Sequence, residues 1–278
     1  MEDFVLPFSL FDVSQKGRIV CLKDEALKII DQHQYPQIVN HYLLEILGLI
    51  CVLGSDSKTK SIVTLQVSAD KDSPISLLVA DLEHNGGIRA YARFNEEKLK
   101  DLASPPPLQD IFLNGRMLFT VDFENDTSRY QAVVELKGET LTDCMAHYSK
   151  QSDQIPTDIK VFVQDSKSHL NGSRLVLAIM LQQMPIDQSA LNDERDQKIE
   201  EWITILHFLK TLKAHEALNE DVSANTLLQR LFHEASLNIY NEKPLFFKCR
   251  CSREKVEQVI QSFKEEELND LKEDGKIL

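Results

Sequence analysis

The sequence predicts an α+β protein with a mixed sheet-and-helix core domain over residues 1–184, a helical linker layer over 185–243 and a short third part over 244–278. Two observations carry the first two assignments. Apolar and polar residues alternate in runs such as 117–123, which is the pattern of half-buried strands. Beyond residue 184, apolar residues recur at intervals of three and four, which is the pattern of helices.

The core domain is predicted to contain a buried helix followed by several strands. Pro36 is expected to open a helix over 37–53, because proline is favoured at the start of a helix and the following residues are apolar on most sides. Strands are predicted at 62–67, 75–80 and 88–94, where β-branched and apolar residues lie between turn-forming residues.

The second half of the core is predicted to be two hairpins separated by a helix. The run Pro105-Pro106-Pro107 marks a surface loop, because proline fits neither a helix interior nor a central strand. The strands 117–123 and 130–136 flank a polar turn and form the first hairpin. A helix over 140–149 follows, and the strands 159–163 and 174–184 form the second.

The helical layer is predicted to begin with an amphipathic helix. Its expected apolar face comprises Ile199, Trp202, Ile203, Leu206, Leu209 and Leu212, widened by Ile205 and Phe208. A second helix is expected around Leu227 to Phe232, and acidic residues mark the joints of the layer.

Charge and hydropathy restrict the partners of the chain. The net charge of −13 argues against nucleic acid as a partner, which would favour a basic surface. The longest apolar run, 42–53, contains Glu45 and is shorter than the ~18 residues that span a membrane. The acidic N-terminus does not resemble a signal peptide. We therefore expect a cytoplasmic protein with neither a membrane nor a nucleic-acid partner.

The five cysteines divide into two groups. Cys21, Cys51 and Cys144 lie in apolar or helical contexts and are expected to be small buried side chains. Cys249 and Cys251 form a C-x-C pair, whose side chains point the same way in an extended chain.

The C-x-C pair has the chemistry of a metal ligand or an oxidant target. Basic residues at 248, 250 and 253, and a helix predicted over 256–263 with Ser252 as its N-cap, favour the thiolate form of both cysteines. Thiolates bind zinc and react with oxidants. A closed zinc site needs four ligands, so two cysteines leave zinc ligation and a chance pair equally open.

Enzyme motifs are missing from the sequence, which contains no G-x-S-x-G, G-x-x-x-x-G-K-[ST] or G-x-G-x-x-G pattern. Cys144 and His147 are three residues apart on a predicted helix and are a conceivable nucleophile and base, but no third group is evident to orient the histidine. Catalysis is therefore not expected, and Cys144 is expected to pack.

Five stretches, taken in order along the chain, resemble one family. They are RYQAVVEL at 129–136, QSDQIPT at 151–157, LQQMP at 181–185, LLQRLFHE at 227–234 and CRCSRE at 249–254. Each is modest alone, but together they resemble the redox-regulated 33-kDa heat-shock chaperone family (33 kDa chaperonin).

The resemblance implies an ATP-independent holdase that protects unfolding proteins from irreversible aggregation during oxidative stress. It implies a core that binds unfolded clients and dimerises, and a C-terminal redox switch. In the reduced state four cysteines would hold zinc. Oxidation would form disulfides, release zinc and unfold the linker, which exposes apolar surface to clients, often in a homodimer. By this resemblance Cys249 and Cys251 are zinc ligands and disulfide-forming residues.

One departure from the family pattern concerns the second cysteine pair. The family continues past a segment like 273–277 into a C-x-x-C pair, whereas these 278 residues stop at Leu278. The part 244–278 is therefore expected to be an incomplete zinc-binding domain. Three alternatives stay open: a constitutive chaperone without the switch, a cysteine-dependent enzyme using Cys144 or Cys249, and a zinc-ribbon nucleic-acid module, against which the net charge weighs.

Overall fold

A computed structural model describes residues 3–55, 60–100, 102, 105–123, 129–152, 155–164, 173–185, 192–249, 272–273 and 276–277. The chain divides into two compact units between Phe247 and Lys248. In the second unit, β13 (Lys272–Glu273) pairs antiparallel with β14 (Lys276–Ile277). The predicted boundaries at residues 184 and 243 stay predictions.

The first unit combines two mainly antiparallel sheets with helices, which confirms the predicted α+β class. Its strands are β1 (Phe4–Leu10), β2 (Gln15–Leu22), β3 (Ser61–Ser68), β4 (Ile75–Glu83), β5 (Gly87–Phe94), β6 (Arg116–Phe123), β7 (Arg129–Glu135), β8 (Thr157–Val163), β9 (Val176–Gln183), β10 (Leu237–Ile239), β11 (Lys243–Pro244) and β12 (Phe246–Phe247). Its helices are α1 (Asp24–Asp31), α2 (Gln37–Gly54), α3 (Glu96–Leu99), α4 (Leu108–Ile111), α5 (Leu141–Ser152), α6 (Asn192–Thr211), α7 (Ala214–Ala217) and α8 (Ala224–Leu231).

The described strands of the first unit form two sheets. The first sheet has the order β10-β1-β2-β9-β8, and β11 also pairs with β1. The second has the order β12-β5-β4-β3-β6-β7. Both predicted hairpins are confirmed, because β6 pairs antiparallel with β7 and β8 pairs antiparallel with β9.

Helix α2 lies between the two sheets and forms the centre of the larger apolar core. Its apolar residues join those of β3 and β4 from the second sheet and those of β2 and β9 from the first. The packing is close, because a Cβ added at Gly48 would lie 2.7 Å from Val176 Cγ1. By length and composition α2 meets the criteria for a membrane span, because its 18 residues extend beyond the apolar run 42–53. However, 78% of it is buried in the protein, which makes it a core helix.

Glu45 is the charged residue that α2 carries into this core. Its Oε1 accepts hydrogen bonds from Thr142 N at 2.9 Å and from Thr142 Oγ1 at 2.8 Å, so Glu45 holds the first turn of α5. Burial raises the pKa of this carboxyl group, because the charged form loses its water, and the backbone and hydroxyl of Thr142 only partly offset that effect.

We predict a pH-dependent effect of Glu45→Gln on stability. An acid whose pKa is raised by folding destabilises the folded state as pH rises from its ordinary pKa of 4.5. In urea unfolding between pH 5 and 8, the free energy of unfolding of Glu45→Gln should therefore rise relative to that of the parent, by up to about 1.4 kcal/mol per pH unit. The exposed Glu200→Gln change is the control, and a difference that stays constant with pH would contradict the prediction.

Helices α6 to α8 cover the face of the first sheet that points away from α2. Ile205, Leu209 and Leu212 of α6 are buried there, with Leu228 of α8. The predicted apolar face was wrong for Ile199 and Ile203, each 47% exposed. The buried residues of α6 are Leu209 and Leu212 of the predicted face and Ile205, which was expected only to widen it.

A five-residue strap, residues 243–247, joins the two sheets. Its first strand, β11, pairs with β1, and its second strand, β12, pairs in parallel with β5. Between them Leu245 is buried in the larger core, and its N–H donates to Asp3 O at 2.8 Å. The N–H of Phe247 donates to Glu25 Oε2 at 2.7 Å.

Candidate functional site

The covered face of the first sheet is apolar over three strands. The residues on this face are Phe4, Leu6, Phe8, Leu10, Ile19, Cys21, Leu177, Ile179 and Leu181, each less than one tenth exposed. The helices α6 to α8 cover this face. Its side chains therefore stay out of contact with water only while these helices remain in place. We call α6 to α8 with their connections the cover layer, and this sheet face the covered face.

Arg174 anchors the cover layer to the sheet. Its side chain is 1% exposed, and its Nη1 donates to Ala217 O at 3.1 Å and to Asn219 O at 2.7 Å. Its Nη2 donates to Val222 O. Hydrogen bonds from a charged donor contribute about 1.5–3 kcal/mol each, so this arginine is a strong local determinant of docking.

A second polar contact reinforces the same connection. Lys23 Nζ lies 2.7 Å from Glu220 Oε1, and both side chains are partly exposed. A partly exposed ion pair contributes roughly 1 kcal/mol or less. The layer is therefore held by apolar packing and by Arg174, with Lys23 as a minor contributor.

Of the C-x-C pair, the structure describes Cys249, whose side chain is exposed. It follows the strap by two residues in the sequence. Cys251 lies outside the described residues, as do Arg250, Arg253 and the helix predicted over 256–263. Zinc ligation and disulfide formation by Cys249 and Cys251 therefore stay predictions.

The three remaining cysteines are buried, as expected. Loss of hydration raises the pKa of Cys21 and of Cys144 to about 12. It raises the pKa of Cys51 as well. The nucleophile hypothesis for Cys144 is wrong, because its thiol is 2% exposed while His147 is on the exposed side of α5.

The described part of the chain does not contain a complete four-thiolate zinc site. Over the part of the chain that the structure describes, no group of three or more His, Cys, Asp and Glu residues could hold a metal ion. Cys21, Cys51 and Cys144 are embedded in the two apolar clusters of the first unit and are unsuitable as ligands for an exposed site. Cys249 and Cys251 would supply two thiolates, and zinc needs two more.

Thiol alkylation should separate the two groups of cysteines. Brief iodoacetamide treatment of the folded, reduced protein should modify Cys249 and Cys251 but spare Cys21, Cys51 and Cys144, because a buried thiol with a raised pKa contains little thiolate. Mass spectrometry of peptides would locate the adducts, and urea-unfolded protein provides the fully modified control. Modification of Cys144 at a rate similar to that of Cys249 would contradict the structure.

Comparisons with known proteins identify the family. The family model described as Hsp33 protein matches residues 3–278. The chain is 31% identical to the 33 kDa chaperonin of Caulobacter vibrioides, over 100% of this chain and 91% of that protein. It is 30% identical to the 33 kDa chaperonin of Ectopseudomonas mendocina, over 94% of this chain and 82% of that protein.

A crystal structure has the same fold. The 33 kDa chaperonin (heat shock protein 33 homolog) of Thermotoga maritima superposes with a TM-score of 0.72 at 20% identity, over 96% of this chain and 88% of that one. The curated relatives are named chaperonins, so the chain is of a chaperone class and not of an enzyme class. The chain belongs to the Hsp33 family.

Proposed function

We propose that this chain is a redox-regulated, ATP-independent holdase chaperone, which binds unfolding proteins in the cytoplasm under oxidative stress and acts as a homodimer. The observation that carries the proposal is the covered face: one face of the first sheet is apolar across three strands and is kept dry by the cover layer. The family membership and the names of the relatives support a chaperone role.

Release of the cover layer would create a client-binding surface. Unfolding proteins expose apolar side chains, which bind apolar surface through the hydrophobic effect without any need for ATP. Both the covered face and the inner side of the layer would become available. Since polar anchors contribute much of the docking at Ala217 to Val222, a modest loss of docking energy would shift the layer towards release.

Oxidation of the C-x-C pair is the proposed trigger. Two thiols would join in a disulfide, losing two protons and two electrons to an oxidant such as hypochlorite or hydrogen peroxide. The exposure of Cys249 and the neighbouring Lys248 favour this reaction. The strap ends two residues before Cys249, so the strap and the cysteine pair are neighbours in the sequence.

Zinc binding in the reduced state is a separate proposal. Cys249 and Cys251 would be two of its ligands, and the remaining thiolates would have to come from outside these 278 residues. The trigger proposed above requires only the oxidation of the two thiols.

The proposal is tested by comparing the reduced and the oxidised protein. A client that aggregates on heating is followed by light scattering without ATP, at equal molar amounts of client and chain. The oxidised protein should suppress most of the scattering and the reduced protein much less. Equal suppression in both states would overturn redox control and favour a constitutive chaperone, and no suppression in either state would overturn the holdase.

A further inference from the structure

One polar side chain is buried at the end of the covered face. Gln15 begins β2, and the alternation of side chains along a strand places it on the same face as Ile19 and Cys21. It is 0% exposed and lies directly opposite Leu10 of β1 and Gln183 of β9. Two glutamines therefore lie side by side at one end of a face whose other side chains on these strands are apolar.

The amide of Gln15 has no hydrogen-bond partner in the described part of the chain. Both its Nε2 and its Oε1 are buried and unpaired there. Folding therefore removes a donor and an acceptor from water without replacing their hydrogen bonds, which destabilises the docked state. Methionine would fill a similar volume without this loss, so packing alone does not account for a glutamine at this position.

The neighbouring Gln183 shows what these amides bind. Its side chain is 8% exposed, and its Nε2 donates to Lys198 O of α6 at 3.4 Å. This end of the covered face thus already binds a backbone carbonyl, which belongs to the cover layer. Directly opposite residues of antiparallel strands have Cβ atoms roughly 5 Å apart, so the two side-chain amides are close neighbours. We call Gln15 and Gln183 the amide pair.

The amide pair becomes accessible only when the cover layer leaves the sheet. In the docked state both side chains are closed to solvent, and Gln183 is occupied by α6. Release of α6 removes the Lys198 carbonyl and leaves both amides facing whatever then binds the covered face. Access to the pair therefore depends on the same release that the proposed function requires.

We propose that the amide pair binds a peptide group of the unfolded client, with Gln15 donating from Nε2 to the client carbonyl and accepting the client N–H at Oε1. The inference rests on the proposed function and assigns a recognition group to the same surface. A peptide group has one donor and one acceptor, and the side-chain amide of glutamine complements both. Gln183 would offer its freed donor to the same stretch of client backbone.

The chemistry of the pair favours unfolded chains over folded proteins with an apolar patch. In a folded protein nearly all buried peptide groups are paired internally, whereas an unfolded chain offers them to a partner. The amides are uncharged, so they match the backbone that all clients share and no particular charged side chain. Client side chains beside the bound peptide group would pack against apolar residues such as Leu10 and Leu181.

The test compares two ligands of the released face, using the oxidised full chain. Reduced, carboxymethylated α-lactalbumin stays unfolded and offers peptide groups, whereas bis-ANS is an apolar dye without a peptide group. Incomplete release of the layer lowers the apparent affinity of both ligands by the same factor, so the ratio of the two affinities is independent of release. We expect Gln15→Met to lower the ratio of client affinity to dye affinity roughly tenfold, because two hydrogen bonds are lost.

Gln182→Met is the matched control. Gln182 precedes Gln183 in β9, but its side chain lies on the opposite face of the sheet, where its Nε2 lies 3.5 Å from Thr157 Oγ1. This variant also replaces a glutamine of β9 or its neighbours by methionine, and its affinity ratio should equal that of the parent.

The outcomes separate this inference from the proposed function. An unchanged ratio in Gln15→Met, with the oxidised parent binding the client, would overturn the inference alone. If the oxidised parent does not bind the client, the proposed function is wrong and the inference is lost with it. An equal fall in Gln182→Met would place the effect outside the covered face and also overturn the inference. If Gln15→Met does not fold, Gln183→Met replaces it, with an expected fall of about threefold for one lost donor, and an unchanged ratio would again count against the amide pair.

Discussion

Replacing Cys249 and Cys251 together by serine should leave the protein folded and remove the gain in client protection on oxidation. The structure gives the physical reason, because the three other cysteines are buried and their raised pKa values make them poor thiolates. The oxidised double variant should suppress client aggregation no better than the reduced parent. Light scattering with a heat-unfolding client, before and after peroxide or hypochlorite treatment, measures this difference.

The matched control is Cys144→Ser, which removes one buried thiol and leaves the C-x-C pair intact. It should be activated by oxidant as the parent is, after correction for any loss of stability. Activation that persists in the double serine variant would place the oxidant-sensitive group elsewhere. Activation that is lost in Cys144→Ser, with the fold intact, would also contradict the assignment to the C-x-C pair.

Much of the core was predictable because its strands and its central helix have distinct periodicities. The strands of the second sheet present one face to α2 and the other to solvent, so a strand such as β3 alternates, and the residues between β6 and β7 are polar in sequence. Helix α2 was predicted at 37–53 and runs over Gln37–Gly54, because Pro36 begins it and its buried surface extends around the helix.

The first sheet was harder to predict because β1 and β2 are buried on both faces. One face packs against α2 and the other against the cover layer, so apolar residues do not alternate. Pro7 also argues against an inner strand. The structure resolves this conflict, since Pro7 lies between the segments of β1 that pair with β10 and with β11, where its missing N–H interrupts no ladder.

The candidate site was partly predictable for similar reasons. The C-x-C pair can be recognised from its spacing in the sequence. No sequence pattern reveals the role of Arg174, because its partners are backbone carbonyls. In α6 two overlapping apolar stripes satisfy the helical period, and only the packing distinguishes the buried Leu209 from the exposed Ile203. The hydrogen bond between Glu45 and Thr142 likewise depends on a contact between residues that are distant in sequence.

Arg174→Met should activate the protein without oxidant. The change removes the donors for Ala217 O, Asn219 O and Val222 O and keeps an apolar side chain of similar length. The loss of these bonds should weaken docking of the cover layer by about 3–5 kcal/mol, which raises the released fraction by roughly 200- to 5,000-fold. Trp202, the one tryptophan of the chain, lies half-buried on α6 and should shift its fluorescence to the red.

Arg18→Met is the matched comparison that distinguishes release of the layer from general destabilisation. Arg18 is also a buried arginine of the first sheet, but its Nη1 donates to Val52 O of α2, on the side away from the layer. It should lower the melting temperature without a Trp202 shift and without client protection in the reduced state. If Arg174→Met behaves in the same way, with one unfolding transition and no gain in client binding, then the layer and the sheet unfold as one unit. The covered face would then not be the client surface, because the layer would not leave it while the core is still folded.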